Sequence, residues 1–77
     1  EMYYDVYPNP TSGNISINTK SAGTNTVVVL DARGRIIETT QFKNSIELDL
    51  SNEKNGHYII QMTNDKGEKR IKTILKG

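Results

Sequence analysis

Seventy-seven residues without a cysteine, 34% of them hydrophobic, suffice for one small domain with one core. Disulfides, thiol catalysis and thiolate metal sites are excluded, so such a domain must hold by packing alone. Ten Lys or Arg against nine Asp or Glu leave a net charge of +1, too balanced to mark a nucleic-acid or membrane surface.

No apolar run approaches the roughly 20 residues of a membrane span. Glu1-Met2-Tyr3-Tyr4-Asp5 also lacks the basic and apolar regions of a signal peptide, so the chain is expected to be a piece of a longer protein. Tyr3 to Tyr7 is aromatic and β-branched enough for a short strand. Pro8 cannot donate to a ladder, which places that strand at an edge. Its three tyrosines are ordinary strand material or, alternatively, a ligand platform.

Tyr7-Pro8-Asn9-Pro10-Thr11-Ser12-Gly13 is a rigid turn. The two prolines push Tyr7 and Asn9 out of the helical region; Asn9, Ser12 and Gly13 supply turn chemistry, with Gly13 free to take positive φ. Ile15 and Ile17 then alternate with Ser16 and Asn18, as in a strand with one buried face. After a polar loop over residues 20–25, Thr26-Val27-Val28-Val29-Leu30 is the most apolar run. Its valines favour a central strand over a helix. Asp31-Ala32-Arg33-Gly34 predicts a tight hairpin with Gly34 in the left-handed position. The return strand runs from Arg35 to Phe42, with one of Ile36 and Ile37 facing inward.

Residues 44–50 show the cleanest alternation, with Ile46, Leu48 and Leu50 on one face and Glu47 and Asp49 on the other. A polar loop ends at Gly56. In the following strand, to Thr63, Tyr58, Ile60 and Met62 share a face. Asn64-Asp65-Lys66-Gly67 repeats the earlier turn pattern, and a last strand runs from Glu68 to Lys76. Seven short strands with turns about every 8 to 12 residues predict an all-β, immunoglobulin-like antiparallel β-sandwich. A small barrel is the alternative. The Cys-Trp-Cys pattern of true immunoglobulin domains is missing, so only the architecture is implied.

Catalytic constellations are weak. His57 is the only histidine, and no nucleophile partner can be assigned to it. Glu47 and Asp49 read as a solvated strand face rather than an acid/base pair. The turns hold too few carboxylates for calcium, and the dispersed glycines form no phosphate loop. No catalytic residue, metal or cofactor is expected. The C-terminal stretch differs: Lys66, Lys69, Arg70, Lys72 and Lys76 fall in the last twelve positions, with Glu68 the only acid there. Arg70, Lys72 and Lys76 share parity with Ile74, opposite Ile71, Thr73 and Leu75, and the charges predict a basic outer face. It reads first as protection of an edge strand, and second as a recognition surface.

Taken in order, the Tyr7 to Gly13 turn, Val27-Val28-Val29-Leu30-Asp31-Ala32-Arg33-Gly34-Arg35, Gly56-His57-Tyr58-Ile59-Ile60 and the basic-apolar last strand resemble a known family. It is the C-terminal sorting domain of the type IX (Por) secretion system, type A, and the resemblance covers almost the whole chain. It implies that residues 1–77 form one sorting domain at the end of a secreted cargo protein. Such cargo passes through the periplasm of a Gram-negative bacterium, and the domain is read by an outer-membrane translocon. A sortase-like surface peptidase then removes the domain, at a site expected in or before residues 1–5, as the cargo is anchored at the surface.

By this resemblance Pro8, Asn9, Pro10 and Gly13 set the opening turn, Asp31, Gly34 and Arg35 the central hairpin, and Gly56 and Tyr58 the penultimate strand. Lys69, Ile71, Lys72, Ile74, Leu75 and Lys76, with Arg70 among them, fall in the region read by translocon and sortase. No nucleic acid and no membrane insertion are implied. Glu53, Lys54 and His57 depart from the family pattern and weaken that loop's packing. The alternative function is an accessory module of a secreted enzyme, binding carbohydrate or protein through Tyr3, Tyr4 and Tyr7.

Overall fold

Alternation of apolar and polar residues becomes alternation of buried and exposed side chains in the computed structural model, which describes residues 3–77. Its strands are β1 (Tyr4–Tyr7), β2 (Asn14–Thr19), β3 (Asn25–Asp31), β4 (Ile36–Phe42), β5 (Ser45–Asp49), β6 (Gly56–Thr63) and β7 (Lys69–Lys76). They form a three-stranded sheet, β1-β2-β5, and a four-stranded sheet, β4-β3-β6-β7, with every ladder antiparallel. The architecture is thus the expected two-sheet sandwich and not a closed barrel. β1 lies at an edge and β3 in the interior of its sheet, as the sequence implies.

The core lies between the sheets. Ile15, Ile17 and Leu48 of the smaller sheet, with Leu50 just beyond β5, meet Val27, Val29, Ile60, Met62 and Ile74 of the larger one. Full burial of each such side chain contributes about 1.5 to 3 kcal/mol, which must offset the ordering of the chain without help from cross-links.

Two local expectations are resolved. The β3–β4 register shifts between Val29↔Glu38 and Leu30↔Ile36, so Ile37 is the extra residue of a bulge. Ile37 packs against the core, and Ile36 remains exposed. Gly13 does not use the positive φ open to it: the glycines at positive φ are Gly23, Gly34, Gly56 and Gly67. What favours glycine at position 13 is close approach, because a Cβ there would stand 3.2 Å from Ser51 Cβ and 3.3 Å from Ser51 Cα. Its carbonyl accepts the Leu50 N–H at 2.7 Å, which ties the opening turn to the end of β5.

Candidate functional site

β7 is the outermost strand of the larger sheet and pairs with β6 from Thr63↔Lys69 to Gly56↔Lys76. Such an edge leaves a row of backbone groups open. In its C-terminal half, the opening turn fills that row. The Asn9 carboxamide acts as a short piece of strand: Oδ1 accepts the Leu75 N–H at 3.0 Å, and Nδ2 donates to the Thr73 carbonyl at 3.3 Å. Thr11 continues the pairing, its N–H donating to the Leu75 carbonyl at 2.9 Å and its carbonyl accepting the Gly77 N–H at 3.0 Å. Thr11 is itself buried, and its hydroxyl donates to the Asn14 carbonyl and accepts the Gly13 N–H. Alternation along the strand aims the Ile71 N–H and carbonyl along the same edge, where no strand pairs with them among the described residues.

The side chains of β7 correct the sequence reading. Arg70, Lys72 and Lys76 do share parity with Ile74, but that is the inward side: Ile74 and Lys76 are buried. Lys72 Nζ donates to the Tyr4 carbonyl at 3.0 Å and lies 5.2 Å from the centre of the Tyr4 ring, so it links β7 to β1. Lys76 Nζ donates to Asn55 Oδ1 at 3.0 Å. Long methylene stems let both side chains run along the sandwich edge while their charged ends find oxygen partners. The outward side carries Ile71, 59% exposed, and Leu75, 40% exposed. The expected basic outer face is therefore an apolar one, with Lys69 as its charged member.

The other motif residues lie at the same end of the larger sheet as the C-terminus of β7. Asp31 Oδ1 accepts the Arg33 and Arg35 N–H groups, each at 2.9 Å, and Oδ2 accepts Arg35 Nε at 3.0 Å. These bonds, the Arg35 N–H foremost, hold the Asp31 carboxyl below its ordinary pKa. Gly34, at φ +85°, supplies the left-handed residue that closes the turn. Asp31 stands opposite Tyr58, whose buried hydroxyl donates to the Lys54 carbonyl. Burial first, and then the charges of Glu53 and Asp31, raise the Tyr58 pKa. Gly56 opens β6 opposite Lys76. Between the Asp31 turn and the loop before β6 lies an open groove of about 420 Å³.

The tyrosine platform loses one of its three members. Tyr3 and Tyr7 are exposed, but Tyr4 is buried and its hydroxyl donates to the Arg70 and Ile60 carbonyls. Burial pushes its pKa up to about 12, against the opposing influence of Arg70. Glu1 and Met2, part of the expected cleavage region, lie outside the described residues. Sequence reasoning missed Asn9 and Thr11 as caps of the last strand. The available signal was a polar side chain held between two prolines and followed by a β-branched residue.

A small immunoglobulin-like sandwich, its last strand held by its first turn, defines the class. A solved structure similar to it is that of a DUF3244 family protein from Bacteroides vulgatus, described as an immunoglobulin-like β-sandwich. The TM-score is 0.76 at 13% identity, over 99% of this chain and 96% of that one; at that identity the likeness establishes the fold. No curated protein matches the sequence. The model of the secretion system C-terminal sorting domain matches residues 5–76, and the chain belongs to that family. It is a type IX secretion sorting signal that interacts with the secretion machinery, and a protein carrying it is secreted or displayed at the cell surface.

Proposed function

We propose that residues 1–77 form a single sorting domain at the C-terminus of a longer cargo protein, which crosses the periplasm and is exported through an outer-membrane translocon. The domain acts as a substrate and address label rather than as a catalyst. A sortase-like peptidase removes it upstream of β1 while the cargo is anchored at the surface. β7 is the recognised element, from Lys69 to Lys76.

One observation carries this reading: the opening turn and the Gly56 strand, far apart in sequence, hold the C-terminal half of β7 from its two sides, and the Asp31 hairpin braces the Gly56 strand from behind. A domain built to present one strand in a fixed shape has this organisation. The test is a fluorescent reporter with a signal peptide, fused upstream of the domain in a host with a working type IX system. Surface or medium fluorescence, lost on deletion of residues 69–77, is the expected result. Periplasmic retention of the intact, folded fusion would overturn the proposal.

A further inference from the structure

Partners across a ladder point to the same face, so the register fixes what the larger sheet shows to solvent. Tyr58, Ile60 and Met62 face the core, which turns their neighbours outward. Ile36, Leu30 and Ile59 lie side by side across β4, β3 and β6 and end at Thr73 of β7. The next row is Thr39, Val28, Gln61 and Ile71, and Leu75 stands opposite His57. Among the described residues Lys69 is the only Lys, Arg, Asp or Glu on this face, in a chain that is 25% charged. Ile36 is 63% exposed and Ile71 59%. The outer face of the smaller sheet is unlike it, carrying Asp5, Glu47 and Asp49 among Asn, Ser and Tyr side chains.

Strand spacing of about 4.8 Å and a same-face repeat of about 6.8 Å make this four-strand face roughly 400 Å². An almost uncharged, largely aliphatic face of this order matches the largest surface patch of a typical small protein, which is often functional. Its border is basic. Lys66 and Lys69 stand at the turn before β7 and at its start, with the exposed Arg70 beside them, against Asp65 and Glu68, and Arg33 stands with the Asp31-paired Arg35 beside Ile36 at the other end. The area is about half of the roughly 800 Å² per partner of a stable complex, too little for a self-sufficient dimer but suited to a label that must be released.

We infer that this face docks onto a protein of the secretion machinery whose contact surface is apolar at its centre and acidic at its rim. The inference rests on the sorting reading and gives β7 a specific part in it: its outward row, Ile71, Thr73 and Leu75, continues the docking face, whereas Lys72 and Lys76 hold the strand in place. A protein partner fits better than a bilayer, because Thr39, Gln61 and Thr73 interleave with the aliphatic residues and no Trp, Tyr or Phe stands among them to anchor a membrane interface.

The reporter fusion tests the inference with two variants that leave the core untouched: Ile36→Ser/Ile71→Ser/Leu75→Ser, which strips the apolar surface, and Thr39→Lys/Thr73→Lys, which adds charge to it. A control, Glu47→Gln/Asp49→Asn, alters the opposite face. Thermal melts of each purified domain establish folding. At least about a tenfold loss of export in a folded face variant, with the control unchanged, is the expected result. Wild-type export alongside normal export of both folded variants would overturn the docking face and leave the sorting reading standing; absence of wild-type export would overturn the sorting reading itself. Sedimentation and flotation with anionic vesicles complete the test. Self-association or vesicle binding that the variants abolish without affecting export would assign the face to a second copy or to a membrane, and would overturn the inference.

Discussion

The two sides of β7 are made of similar residues and do different things. Inward, Ile74 is 2% exposed and Lys72 and Lys76 reach across to β1 and to the loop before β6; outward, Ile71 and Leu75 touch solvent. An isoleucine on one side is structure, and an isoleucine three residues earlier is surface. The largest expected effect follows from that contrast. Ile74→Ala should cost about 2 to 5 kcal/mol, through lost burial and the cavity left behind, a large share of the stability of a small domain. Ile71→Ala should cost less than about 0.5 kcal/mol. Urea unfolding of the two variants, compared at equal m-values, checks the pair.

The edge of β7 offers the next contrast, between the half covered by the opening turn and the half left open. Asn9→Ala removes two hydrogen bonds, to Leu75 N–H and to the Thr73 carbonyl. At about 0.5 to 1.5 kcal/mol each, the expected loss is roughly 1 to 3 kcal/mol. It should also free the amides of the C-terminal half. Hydrogen exchange at Leu75 should then rise toward the rate at Ile71, which has no partner strand on that side among the described residues. If Leu75 remains protected in Asn9→Ala, Thr11 alone closes the edge.

Most of the fold is legible in the sequence because it is local. Ile46, Leu48 and Leu50 announce a half-buried strand by alternation alone, and Asp31-Ala32-Arg33-Gly34 announces its turn by chemistry. The outer face of β7 is not legible in the same way. Counting charges turns Lys72 and Lys76 outward, whereas four-carbon stems let a lysine lie along an inward-facing row and still hold its charge at an oxygen. The Asn9 cap is hidden for another reason: its partners are Thr73 and Leu75, at the far end of the chain, and a side chain imitating a strand leaves no periodic trace. Ile36 and Ile37 are separated only by a bulge, a register shift that no local pattern requires.

Lys76 sharpens the difference between holding a strand and being read on it. Its side chain is buried and its ammonium meets one neutral acceptor, Asn55 Oδ1, so the packing of the stem carries much of what the residue contributes. Lys76→Met keeps the stem's packing and removes the charge. Stability should change by less than about 1 kcal/mol, in either direction. Export by this variant at the wild-type level would then separate the position's packing from its charge.

The smallest effect concerns two turns built alike. Asp31 and Asn64 each accept N–H groups two and four residues ahead, Arg33 and Arg35 in one case and Lys66 and Glu68 in the other. Only the first acceptor ionises. Backbone and side-chain bonds from Arg35 and Arg33 depress the folded-state pKa of Asp31, so its contribution is present above the unfolded carboxylate pKa and lost as pH falls through the folded value. Asp49 and Glu68 are depressed too, held chiefly by Ser51 and by the Asn64 side chain, and they contribute to the same acid limb. Asp31→Asn turns the first turn into a copy of the second. Its melting temperature should therefore fall less steeply below the ordinary carboxylate range than that of the wild type, while the two profiles run parallel near neutrality. An unchanged acid limb would mean that Asp49 and Glu68 carry it, and that the Asp31 turn is held by its geometry and by Gly34 rather than by its charge.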